Sequence, residues 1–164
     1  MTPSTQTQTD LFIEMAIKAW NVQISRATKF FDSIDDQSLN KEIAPGKNRI
    51  SYLLGHLVAV NDGMISLFAL GERSYANLDE AFVKNPDRSG LPTPDGAELR
   101  QAWKKSNEQL SALFASMSTA DWLGRHTSMT DEDLAKEPSR NKLSVLLNRT
   151  SHVAYHVGQL VLAK

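Results

Sequence analysis

Apolar residues recur every three or four positions over four stretches of the chain, the period of a helix that buries one face. The first stretch carries Phe12, Ile13, Ala16, Trp20, Ile24, Ala27, Phe30 and Phe31, and predicts a helix capped by Asp10 and running to about Ile34. Pro45-Gly46-Lys47-Asn48 then breaks the chain. A second helix is expected over about Arg49 to Leu70, ended by Gly71, a residue suited to the left-handed conformation after a helix C-terminus. From Glu72 to Pro94 the residues Pro86, Gly90, Pro92 and Pro94 and scattered charges predict a long loop, with at most a short helical turn near Asp79 to Val83. Thr93-Pro94-Asp95 reads as a helix start: a hydroxyl cap, proline in the first helical position, an acid in the first turn. This third helix runs to about Met117 on Leu99, Ala102, Trp103, Leu110, Leu113 and Phe114. After a connection over Ser118 to Asn141, the last helix, about Arg140 to Ala163, presents Leu143, Leu146, Leu147, Val153, Ala154, Val157, Leu160 and Val161.

No period-2 pattern of useful length and no internal repeat interrupts this series. The expected fold is all-α: residues 1–9 as a disordered tail and residues 10–164 as one antiparallel-type four-helix bundle whose two long connections allow crossovers. The Ile50 to Leu70 stretch is long enough to span a bilayer, but His56, Asn61 and Asp62 near its middle are costly in lipid, so it reads as a core helix. The polar N-terminus carries no Lys or Arg and does not read as a signal peptide, so a cytoplasmic location is expected.

Composition narrows the chemistry. In 164 residues, 18 basic side chains face 19 acidic ones, a net charge of −1, so no global field draws nucleic acid or an anionic membrane. The chain has no cysteine, which excludes disulfides, thiolate metal sites, iron–sulfur clusters and a cysteine nucleophile. The strong metal ligands left are carboxylates and four histidines, His56, His126, His152 and His156.

Three of these fall inside predicted helices. His152 and His156, four apart, share one helix face and can grip one ion together. At about 100° per residue the pair points roughly 130° away from the Leu143, Leu147, Ala154, Val161 stripe, outside the main core face. His56 lies at the edge of its helix's apolar stripe, beside Val60 and Leu67, and a facing helix could bring it in as a third imidazole. The spacing alone is equally that of solvated or hydrogen-bonded histidines. Val153 stands where a metalloprotease helix would carry Glu, so that signature fails. His126, in a loop after Trp122 and Gly124, reads as a surface residue.

Two segments carry a family resemblance. Asn48-Arg-Ile-Ser-Tyr-Leu-Leu-Gly-His56 resembles the second-helix motif of DinB-like proteins, and His152-Val-Ala-Tyr-His156-Val-Gly158-Gln159-Leu160 is similar to their final-helix motif, H-x-x-x-H-x-G-Q-L. Helix order, the Gly71-Glu-Arg-Ser-Tyr75 turn and the proline-led third helix extend the likeness over nearly the whole chain. The resemblance implies a four-helix bundle with crossover connections, usually dimeric, with a divalent metal on three histidines that map to His56, His152 and His156. Relatives include thiol-dependent transferases and isomerases. With Lys164 only a few residues after the motif, the C-terminal extension that some of those relatives carry is not expected here.

Three neutral imidazoles suit Zn²⁺ or Ni²⁺; on such a ligand set zinc acidifies water or stabilises a thiolate. The function expected is a metal-dependent hydrolase or transferase acting on a small molecule. The alternative is a non-catalytic dimeric stress-related protein whose metal site is structural or vacant. Gln159, one turn from His156, and Asn61 and Asp62, beyond His56, are the candidates to orient a ligand, with interfacial bonding or solvation as their other reading. Tyr155 lies some 80° around the helix from the pair, and Gly158 suits close helix approach. Trp20, Trp103 and Trp122 are expected to pack in the bundle or a dimer interface. No nucleophile motif, phosphate loop or evident general base is present.

Overall fold

A computed structural model describes residues 7–163 and is all-helical, with no strand among the described residues. The expectation for residues 1–6 of the tail lies outside the described residues. Four long helices form the body: α1 (Gln8–Asp32), α3 (Ile50–Leu67), α4 (Gly96–Ser116) and α7 (Lys142–Val161). Between them lie three short ones that periodicity over so few residues could not predict: α2 (Asp36–Leu39), α5 (Thr119–Leu123) and α6 (Asp131–Lys136).

Helix ends follow hydrogen bonding more closely than residue type. α1 starts a turn earlier than predicted: Thr7 is its cap, and Asp10 sits at the third helical position, returning a bond to the Thr7 amide. Gln8 and Thr9, expected in the tail, are helical. Likewise Asp95, not Thr93, caps α4, pairing with Glu98 in the same reciprocal arrangement. α3 stops at Leu67, before Gly71. The left-handed residue is Ala69 (φ 58°), with Leu70 N–H bonded to Ile65 C=O at 2.8 Å and Ala69 N–H to Ser66 C=O at 3.1 Å.

Cross-bundle contacts fix the directions. Thr28 meets Trp103 and Trp20 meets Phe114, so α1 and α4 are antiparallel. Phe68 meets Phe114 while Tyr52 and Leu99 line one cavity, so α3 and α4 are parallel. His56 meets His152 while Gly63 and Arg149 share a cavity, so α3 and α7 are antiparallel. Phe30 and Val157 share a groove at one end, and α5 touches the starts of both helices at the other, so α1 and α7 run parallel. The bundle is therefore not purely antiparallel.

Because α3 and α4 point the same way, the chain between them must travel back along the bundle. Of the two long connections, this is the one that crosses over; the 117–141 connection stays at one end, where Thr127 N–H bonds Leu67 C=O and Lys142 N–H bonds Gly124 C=O. All three tryptophans are buried, Trp122 against Phe68 and Phe114. α3 is the one described helix long and apolar enough to cross a membrane, and 61% of that span is buried inside the bundle.

The crossover lies along one face of α3, tied at successive turns. Asp62 is fully buried and accepts from Arg73 Nε at 3.0 Å and from the amides of Ser74 and Tyr75 at 3.1 Å each. The Arg73 guanidinium also forks onto Asp79 at 2.7 Å and donates to Ala59 C=O at 3.1 Å; the hydrogen bonds it donates to Asp79 and then Asp62 outweigh its partial burial and raise its pKa. Further back, Tyr52 Oη donates to Asn85 C=O at 2.7 Å and Arg49 grips Asp87 at 2.6 Å. The middle of this ladder is His56.

Candidate metal centre

The crossover closes into a 3-10 turn at Ala76–Leu78 and one π-helical turn at Glu80–Lys84, in the region where a helical turn was expected. The π turn leaves the Phe82 carbonyl free to accept the Nδ1 proton of His56 at 2.7 Å. The Phe82 ring lies directly on Gly55, where a Cβ would overlap it. Glycine before His56 thus lets the crossover come close enough to orient that imidazole. Tyr52, one turn earlier, stacks on His56 with centroids 6.2 Å apart and planes 11° from parallel.

From α7, His156 is oriented in the same manner. Gln159 Oε1 accepts its Nδ1 proton at 2.8 Å, and Gln159 Nε2 donates to Tyr155 Oη at 3.1 Å, a second bond that holds the amide beside the ring. With Nδ1 protonated in both rings, the Nε2 lone pairs of His56 and His156 are left pointing inward, and both meet the Nε2 of His152, at 3.2 and 3.1 Å. One donor atom from each ring lies within 4.8 Å of the others.

That convergence is unfavourable for the imidazoles alone. His152 Nε2 carries at most one proton and can satisfy one neighbour, so lone pair faces lone pair on the other side. The other nitrogen of His152, Nδ1, is buried without a hydrogen-bond partner among the described residues. A second proton is disfavoured as well. Burial, then the neighbouring His156, His56 and Arg149, lowers the His152 pKa to about 4, and burial foremost also lowers those of His56 and His156. Three nitrogens held neutral and aimed at one point fit a divalent cation: tetrahedral zinc bonds of about 2.0–2.1 Å would separate its nitrogen ligands by about 3.3 Å.

The remaining sequence candidates part company. Gln159 touches a site histidine. Asp62 does not; its carboxylate is consumed by Arg73 and the 73–75 turn. Asn61 is fully buried with neither side-chain polar atom hydrogen-bonded among the described residues. Tyr155 reaches the centre only through an edge-to-face contact with the His156 ring and its bond to Gln159. A Cβ on Gly158 would meet open space, so that glycine does not serve close helix approach. His126 is not the plain surface residue expected, since its Nδ1 is buried and burial lowers its pKa, and it stands apart from the three-histidine group.

Two participants escaped the sequence reading. The Phe82 carbonyl is backbone and leaves no side-chain signature. Arg149 stands three residues before His152, the other helical spacing that places two side chains on one face, and could have been found by it.

The profile of the DinB superfamily matches residues 19–160, a span that contains all three histidines. The chain belongs to the DinB superfamily. No curated protein matches it. Within this DinB fold the three histidines could hold a metal ion.

Proposed function

We propose that this DinB protein is a cytoplasmic, metal-dependent hydrolase or transferase for a small molecule, with His56, His152 and His156 holding Zn²⁺ or Ni²⁺. The observation that carries the reading is the meeting of three Nε2 atoms whose opposite nitrogens, in His56 and His156, are pinned by Phe82 and Gln159. Such an ion supplies Lewis acidity and stabilises a ligand oxygen or sulfur in its deprotonated form. The chain's own part is to keep the imidazoles neutral by burial, fix their tautomers, and shield His56 with Tyr52 and His156 with Tyr155.

A homodimer fits the same reading. Leu11, Phe12 and Met15 are about half exposed on α1, as are Tyr155 and Val161 on α7, which runs parallel beside it. The test is turnover of small esters and thiol-transfer substrates by the zinc- and nickel-loaded protein, with and without chelator. Turnover abolished by chelation and restored by metal is expected. A full metal equivalent with no turnover, and a melting temperature lowered by chelation, would favour a structural ion in a non-catalytic protein.

A further inference from the structure

One turn along both helices from the histidines, toward the C-terminal end of α3, lies a cavity of about 300 Å³. Val60, four residues beyond His56, and Arg149, three before His152, bring the histidine-bearing faces of α3 and α7 to its wall, and Val83 brings the crossover next to Phe82. Gly63, Thr127 and Ser128 complete the side toward the 117–141 connection. The Tyr52 ring stacks on His56 from the preceding turn of α3, whereas the cavity lies one turn beyond it, with Arg149 as its wall residue nearest in sequence to the α7 histidines.

Arg149 is anomalous there. It is half-buried, its Nε is out of contact with solvent, and it has no acceptor or ion-pair partner among the described residues. The nearby carboxylate on the cavity wall, Asp79, has both oxygens on Arg73. Burial lowers the Arg149 pKa, yet a guanidinium stays charged at neutral pH. Three residues before His152, Arg149 stands one turn away from that histidine on the same side of α7. A half-buried guanidinium without an ion-pair partner, beside a centre that gathers a second cation, is suited to an anion that bridges the two.

We propose that Arg149 and the cavity beside it form the recognition site for an oxyanion, a carboxylate or a phosphate, on the small molecule that this centre processes. The proposal rests on the metal reading above. The guanidinium's planar fork matches either oxyanion bidentately, and the aliphatic walls of Val60 and Val83 take the remainder of a molecule of few heavy atoms. The site would select anionic substrates over neutral ones of the same shape.

The test uses the full-length protein loaded with Co²⁺, whose visible spectrum reports on ligands at the metal, titrated separately with acetate and inorganic phosphate. We expect one equivalent of Co²⁺ in wild type, Arg149→Gln and Arg149→Lys, and a saturable spectral change in wild type. Arg149→Gln should need at least tenfold more anion and Arg149→Lys an intermediate amount. Response to acetate alone, phosphate alone or both assigns the oxyanion. Equal anion affinity in wild type and Arg149→Gln, each with full metal, overturns the proposal and leaves the metal centre standing. Absence of stoichiometric Co²⁺ from wild type overturns the metal reading and this proposal with it. Metal-free Arg149→Gln should melt no lower than metal-free wild type, and a clearly lower melting point would contradict the proposal by showing that Arg149 serves the fold.

Discussion

His56 donates its Nδ1 proton to the carbonyl of Phe82 at 2.7 Å, across 26 residues of sequence, while the Phe82 ring rests on the glycine just before that histidine. The crossover and the candidate ligand therefore move together. Gly55→Ala should push the Phe82 ring away, costing about 1–3 kcal/mol of stability and lengthening the His56 hydrogen bond. Metal affinity should fall about tenfold to a hundredfold, as for loss of other groups that orient a ligand. Competition titration against a chromophoric chelator measures it, and unchanged affinity would separate the crossover from the site.

Gln159 plays the corresponding part for His156. Gln159→Leu should weaken metal binding by about tenfold or more while sparing the fold, because the residue is only partly buried. Gln159→Glu, which keeps an acceptor for Nδ1, should restore most of the affinity. Equal loss in both variants would mean that the bond to His156 is not what matters.

Asp62 predicts the opposite pattern. Its three bonds go to the 73–75 turn, so Asp62→Asn should cost about 3 kcal/mol in denaturant unfolding, less what the Arg73–Asp79 pair retains. The folded fraction should still bind one metal ion. A variant of wild-type stability with weakened metal binding would restore Asp62 to the site.

The four amphipathic helices, the break at Pro45-Gly46 and the pairing of His152 with His156 were all legible in the sequence, because each is written in local spacing. Asp62 and Gln159 show where that legibility ends. Both are polar residues near a histidine on a helix, and only the path of the crossover, a long-range feature, hands one of them to Arg73 and leaves the other to His156. Residue type also misplaced the end of α3. Gly71 has positive φ (134°), but the hydrogen bonds that close the helix fall at Ala69 and Leu70. The parallel arrangement of α3 and α4 had no local signature, since periodicity reports which face is buried and not which way the neighbouring helix runs.

Ala69 supplies a prediction independent of function. It holds a left-handed conformation that disfavours any Cβ, so Ala69→Gly should stabilise the protein by about 0.5–1 kcal/mol in reversible unfolding. Destabilisation would mean that the flexibility gained by the unfolded chain outweighs the strain relieved.

The histidines also set a pH dependence for metal-free protein. An unfolded histidine titrates near 6.5, whereas folded His152 holds a pKa of about 4 through burial and its charged neighbours, with His56 and His156 lowered too. Between those values the unfolded chain binds more protons than the folded one, so stability rises with pH from about 4 to 6.5 and is lost on acidification through that window. Melting temperatures across pH 4–7 should show this slope, and His152→Ala should flatten it. A slope of opposite sign would contradict neutral, desolvated imidazoles.

The central claim is that one divalent ion sits on His56, His152 and His156. Elemental analysis of protein purified without nickel resin, alongside His152→Ala prepared identically, tests it most directly. One equivalent of zinc or nickel in the wild type and its loss in the variant is the predicted result. A full metal equivalent in His152→Ala, or none in the wild type after incubation with metal, would contradict it.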